Sequence, residues 1–134
     1  MCSHALRNGW FYKYDASAGK AINVHADSAA VNINIWLGPN DHHKSKSGLV
    51  VYKTVPPAGW DFERFNRDPT PPEVIELIKG ESIVVEHRQN RAVIFQMDLF
   101  HASDTLDWLP GYEKSRINLT LLFGEMRAQC KIEE

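Results

Sequence analysis

The sequence predicts an all-β fold, a single domain over residues 1–134 in which about eight short strands and one inserted helix surround one core. Three observations carry that expectation. Stretch after stretch alternates apolar and polar residues with period two, the pattern of strands that show different environments on their two faces. Residues that favour turns, namely Gly, Pro, Asn, Asp and Ser, gather between those stretches. The composition, 43% hydrophobic and 24% charged over 134 residues, is that of a globular chain long enough to bury a real core.

Taken in order, Gly9–Asp15 sets Trp10, Tyr12 and Tyr14 on one face of a strand. Lys20–Asp27 sets Ile22 and Val24 against Asn23, His25 and Asp27. In Val31–Leu37, the residues Val31, Ile33, Ile35 and Leu37 oppose Asn32, Asn34 and Trp36. Gly48–Val55, Ser82–His87, Arg91–Met97 and a short piece at Phe100–Ser103 are further strands. The last is Arg116–Phe123, where Ile117, Leu119, Leu121 and Phe123 alternate with Arg116, Asn118 and Thr120. The single helix follows Thr70 as its cap, takes Pro71 and Pro72 in its first turn, lays Val74, Leu77 and Ile78 in one stripe, and stops at Gly80. Gly38–Ser47, Ala58–Pro72 and Asp104–Ser115 are loops. Eight short strands around one core point to a jelly-roll, or double-stranded β-helix, barrel. Its unusual feature is a polar second face on several strands. Asn23, Asn32, Asn34, Arg116 and Asn118 either meet solvent or line a polar cavity, because burial without partners is costly.

The same residues narrow the classes of function. A net charge of −2 offers no general field for nucleic acid or an anionic membrane, so neither is an expected partner. No apolar run reaches the ~18 residues of a membrane span, and the first residues lack the apolar stretch of a secretory signal. Cys2 and Cys130 form one pair at most, so a disulfide scaffold is not expected and a reducing cytoplasm is the expected setting. There is no phosphate-binding Gly loop and no Gly-x-Ser-x-Gly elbow.

His25-Ala26-Asp27 places a histidine and a carboxylate two residues apart, on one strand face and roughly 6–7 Å apart along the backbone. Both tips can reach one ion, and His101 is the candidate third ligand. Two histidines and one carboxylate leave coordination positions open, the facial arrangement of non-haem Fe(II) oxygenases. Arg116 opens the final strand, and its planar fork suits a carboxylate better than a lysine would. Asn118 lies two residues further on the same face, and Tyr14 could add a hydroxyl. His42-His43 with Lys44 and Lys46 is a weaker second metal candidate that otherwise forms a solvated loop tip. Trp36, Trp60 and Trp108 either line a pocket or pack in the core. Asp98 and Asp104 flank His101 and either orient it or are ordinary turn carboxylates.

The order strand, His25-x-Asp27, long insertion, His101, Arg116 resembles the Fe(II)/2-oxoglutarate-dependent dioxygenases, over about Gly9 to Gly124. Tyr14…Gly19…His25-Ala26-Asp27 looks like the Tyr…Gly…His-x-Asp run of prolyl-hydroxylase-like and alkylation-repair members. Arg116-Ile117-Asn118-Leu119-Thr120 is similar to an Arg-x-Asn-Leu-Thr strand of the alkylation-repair branch. Asn90-Arg91-Ala92-Val93-Ile94-Phe95 looks like the strand that leads to the distal histidine. The resemblance implies Fe(II) held by His25, Asp27 and His101, and 2-oxoglutarate anchored by Arg116 with Asn118, Tyr14 and Asn32 nearby. It implies O₂ as oxidant, and hydroxylation of an unactivated C–H bond on a small molecule or side chain with release of succinate and CO₂. A cupin-type metalloenzyme would keep the three ligands and need no Arg116; a non-enzymatic jelly-roll module binding a carbohydrate or metabolite would carry no iron.

Eight residues precede Gly9, too few for the bracing helices that usually cover one sheet in this family. The chain is then a minimal enzyme, a fragment, or a protomer braced by a partner; an uncovered apolar sheet face tends to find one, and a homodimer through the aromatics around Trp10 and Phe11 is expected. Sedimentation at micromolar concentration checks this: a lone 15.3 kDa species ends the idea.

Overall fold

Of the eight alternating stretches, seven form strands among the residues described by the computed structural model, which are 4–14, 16, 21–44 and 47–125. In chain order the elements are β1 (Leu6–Tyr14), β2 (Val31–Trp36), β3 (Leu49–Tyr52), α1 (Phe62–Phe65), α2 (Pro72–Leu77), β4 (Ser82–Val85), β5 (Arg91–Gln96), β6 (His101–Ser103) and β7 (Arg116–Phe123). One sheet has the order β1-β7-β2-β5 and the other β4-β3-β6, and every pairing is antiparallel. The architecture is therefore mostly β, two antiparallel sheets with two short helices. Cys2, Gly19, Lys20, Lys46 and Cys130 lie outside the described residues.

The expected strand at Lys20–Asp27 does not form. Its described part, 21–27, makes one isolated antiparallel bridge, His25 to His101. The partner limits it: β6 is three residues long and its other edge is taken by β3.

The single expected helix is two. α1 spans only four residues, too few to show a helical period in sequence. Asp61 caps it, its side chain accepting from the Arg64 amide at 2.7 Å. α2 carries the expected stripe, with Val74 fully buried and Leu77 and Ile78 packed beside it. Its N-cap is Pro71, which makes no side-chain hydrogen bond, so Thr70 is not the cap; Pro72 presets the first turn instead. The helix ends at Leu77, before Gly80.

Cross-strand register explains the sheet's two faces. Residues directly opposite share a face, so Tyr14 pairs with Arg116, Tyr12 with Asn118 and Trp36, and Trp10 with Thr120 and Asn34. These rows point inward, where Arg116, Asn118, Thr120 and Asn32 are all buried. The intervening rows point outward and are apolar: Phe11–Leu119–Ile35 and Leu121–Ile33–Ile94, with Phe11 67% and Ile94 66% exposed. Of the two aromatics expected on that outer face, only Phe11 lies there; Trp10 faces in. The hydrophobic packing between the sheets is concentrated at one end, where Trp36 meets Leu49 and Val51. A second cluster joins Ala26, Phe65, Val74 and Phe100, fixing both helices beneath the His25–Asp27 segment. Each large side chain fully withdrawn from water there contributes about 1.5–3 kcal/mol.

Gly48, buried at the start of β3, has the Val85 carbonyl so close that a methyl group would overlap it. Gly80 has open space and an ordinary φ. Gly48→Ala should therefore lower stability by about 1–3 kcal/mol, and Gly80→Ala should leave it unchanged or slightly higher. Thermal unfolding of the two variants checks this, and equal melting temperatures would contradict the packing at Gly48.

Candidate metal centre

His25 and His101 are distant in sequence and joined by backbone. The His25 amide donates to the His101 carbonyl at 3.0 Å, and the His101 amide returns to the His25 carbonyl at 2.8 Å. This bridge sets the two rings 4.1 Å apart between centroids. Asp27 completes the group: its Oδ2 is 3.9 Å from Nε2 of His25 and 3.9 Å from Nε2 of His101. One ligand atom from each residue lies within 4.8 Å of the others, and this is the metal-competent group found among the described residues.

Both imidazoles are prepared in the same way. Nδ1 of His25 sits 2.8 Å from the Asn23 carbonyl, and Nδ1 of His101 sits 2.9 Å from the Leu99 carbonyl. A carbonyl only accepts, so Nδ1 carries a proton in both rings and Nε2, turned towards Asp27, is the nitrogen left for a metal. That is the tautomer a metal ligand needs. Burial pushes His101 down to about 3, helped by the neighbouring His25, so it is neutral throughout the physiological range. Burial pushes the Asp27 carboxyl up, with His25 opposing.

The pocket in front of this group is walled by the inner face of the larger sheet. Trp10, Tyr12 and Tyr14 come from β1, Asn32 and Asn34 from β2, and Arg116, Asn118 and Thr120 from β7; Ile22, Leu49 and Ser103 close it. All seven sequence-predicted site residues thus meet in one cavity: His25, Asp27, His101, Arg116, Asn118, Tyr14 and Asn32. Of the polar strand faces, Asn32, Asn34, Arg116 and Asn118 line the cavity, whereas Asn23 is exposed and donates to Asp68 instead. Asn34 and Thr120 belong to the same wall, bonded to each other at 3.1 Å and to the Asn118 amide at 3.5 and 3.3 Å. The period-two alternation that places Asn32 and Asn118 places these two as well.

Arg116 is the electrostatic anomaly. It is 3% exposed, and its Nε and Nη1 have no hydrogen-bond partner. No carboxylate pairs with it among the described residues; its near neighbours are the rings of Tyr14 and Trp36, 5.8 and 6.0 Å from the guanidinium carbon. Burial pulls it from 12.5 to about 10, with Tyr14 opposing, so it remains a cation at neutral pH. Tyr14 is itself pushed up to about 12, mainly by burial, and keeps its phenolic proton. The side-chain oxygens of Asn32 and Asn118 also lack partners. A buried, uncompensated cation is expensive, and an anion is the ligand that answers it.

The remaining candidates fall elsewhere. Trp36 and Trp108 are core, and Trp60 packs on the helix cluster. Asp98 accepts from Gln96 and Asp104 from the Thr105 amide, so neither orients His101; the Leu99 carbonyl does. His42 and His43 gain no third metal ligand among the described residues. His43 packs its ring 5.0 Å from His87 and 5.2 Å from Trp108, part of an aromatic cluster rather than a loop tip. His87, stacked on Trp36, went unnoticed in sequence because its burial depends on contacts distant along the chain.

No known family model matches this sequence, and no curated protein is significantly similar to it. Residue chemistry therefore carries the functional reading.

His87 makes the fold sensitive to acid. Burial is the main cause that pulls it from 6.5 to about 4; the Gly38 carbonyl at 2.9 Å opposes, while His43, Arg116 and Arg91 act with burial. Between those pH values the unfolded chain binds a proton that the folded chain refuses. Stability is therefore full above 6.5 and falls as pH drops towards 4. His87→Phe should flatten the melting temperature against pH in that window, leaving the share due to His101. An unchanged slope would show that His87 titrates normally.

Proposed function

We propose that this chain is an Fe(II)- and 2-oxoglutarate-dependent oxygenase, its two sheets forming a double-stranded β-helix. It hydroxylates an unactivated C–H bond of a small molecule or side chain, releasing succinate and CO₂. One observation carries the reading: a buried, unpartnered arginine opens onto the same pocket as two histidines and a carboxylate. A cupin-type centre would leave Arg116 without a task.

The donor set fits the metal. Nε2 of His25, Nε2 of His101 and the Asp27 carboxylate would hold Fe(II), and three ligands of this type suit an open coordination sphere. Bound iron would supply the redox chemistry that couples O₂ and 2-oxoglutarate to substrate oxidation. A divalent cation would also offset the burial that raises Asp27. Charge supports a dicarboxylate. Among the residues lining the pocket, Asp27 and Arg116 cancel, so a divalent metal adds two positive charges and a dianion neutralises them.

The protein's own work is placement. Arg116 would grip the far carboxylate through its planar fork. Asn118 and Asn32 are within the same wall, and Tyr14 keeps a hydroxyl to donate. The rings of Trp10, Tyr12 and Tyr14 cover one side, with Tyr12 and Tyr14 stacked at 5.7 Å, and limit access of water to the reacting carbon. A cytoplasmic setting keeps the iron reduced and the cosubstrate supplied.

Under anaerobic conditions, Fe(II) plus 2-oxoglutarate should produce a weak visible charge-transfer band. At a hundredfold excess over Kd, 2-oxoglutarate should stabilise the metal-loaded protein by about 2.7 kcal/mol, several degrees in melting temperature. Pyruvate, which cannot reach Arg116, should stabilise less. Arg116→Met should remove that difference, and His101→Ala should remove the band. Equal shifts by both acids in the wild type would refute Arg116 as the anchor.

A further inference from the structure

Among the described residues, no strand lies on the outer side of the His25–Asp27 segment, and a side chain stands where one would be. In an extended chain the amide and carbonyl of successive residues point to opposite edges. His25 spends its pair on His101, and the Asp27 amide reaches the Met97 carbonyl at 3.2 Å. The Ala26 pair faces the other way. There the carboxamide of Asn66 takes both groups: Ala26 N–H donates to Oδ1 at 3.0 Å, and Nδ2 donates to the Ala26 carbonyl at 2.7 Å.

Asn66 is well held for this work. It caps the C-terminus of α1, its own amide donating to the Phe62 carbonyl at 3.2 Å. The preceding Phe65 is buried against Phe100 and fully buried Ala26. Two residues on, Asp68 accepts from the Asn23 side chain at 2.7 Å, securing the stretch whose carbonyl fixes the His25 tautomer.

We infer that Asn66 is a positioning residue for the metal centre. Its carboxamide stands in for the missing strand and holds the Ala26 peptide groups, so that His25 and Asp27, on either side, aim at one point. This role rests on the metal reading above. It assigns the insertion carrying α1 a function in ligand geometry beyond packing.

Co(II) titration, followed by its visible absorption, separates the possibilities. Asn66→Ala should raise the Co(II) Kd by about 10–100-fold, the usual cost of losing a group that orients a ligand. Asn66→Asp keeps the acceptor and loses the donor, and should fall between. Val74→Ala, a cavity in the same core cluster, should lower the melting temperature and leave the Co(II) Kd unchanged. Without metal, hydrogen exchange of the Ala26 amide should lose protection in Asn66→Ala and retain it in Asn66→Asp. Wild-type Co(II) affinity in both Asn66 variants would overturn the role of Asn66 alone. So would an affinity loss in Val74→Ala equal to that in Asn66→Ala, which would mark a purely structural effect. A wild type that binds no Co(II) would overturn the metal reading and this role together.

Discussion

Two backbone hydrogen bonds between His25 and His101 hold the site together. They join segments from opposite parts of the chain and bring two imidazoles, tilted at 52° to each other, beside Asp27. The rest of the architecture can be read as support for that junction. β3 secures the far edge of β6, the helices pack beneath Ala26, and the larger sheet supplies the opposite wall. Because both partners lie at the end of short or irregular pairing, the junction depends on surrounding packing more than on ladder length.

The larger sheet is inverted relative to the usual arrangement. Its inner rows hold Arg116, Asn118, Thr120 and Asn32, and its outer rows hold Phe11, Ile94 and Ile117. A sheet that only needed a core would have the opposite polarity. Burying the polar rows costs stability unless they bond to one another or to a ligand. The Asn34–Thr120–Asn118 network meets part of that demand, and the guanidinium of Arg116 and the side-chain oxygens of Asn32 and Asn118 leave a further part unmet. The distribution of satisfied and unsatisfied groups thus separates framework from binding surface within a single wall.

Much of this was legible in the sequence, for a physical reason. Period-two alternation survives any packing arrangement, so β1, β2 and β7 could be found and their polar faces grouped before any contact was known. The grouping of Arg116 with Asn118, and of Asn32 with Asn34, follows from that alone. What alternation cannot report is pairing. The segment 21–27 alternates as a strand does and finds only a single bridge, because its neighbour is too short to extend the ladder. α1 was illegible because one turn has no period to detect. Asn66 was illegible because its partner is 40 residues away and its type, asparagine after a short helix, is commonplace. The orienting contact of His101 was sought in Asp98 and Asp104 and lies in a backbone carbonyl, a group every residue possesses.

Both histidines of the candidate centre place Nδ1 against a carbonyl two residues upstream, His25 against Asn23 and His101 against Leu99. The contact that turns Nε2 towards the site is thus made within a tripeptide, and on the His25 side distant residues such as Asp68 hold that tripeptide in place. The architecture decides how far apart the two nitrogens stand. Asn23-Val24-His25 and Leu99-Phe100-His101 therefore repeat one local arrangement, a histidine ring held through Nδ1 by the carbonyl two residues before it. A centre assembled from two such arrangements can change its spacing through drift in the loops without ever relearning which nitrogen to offer.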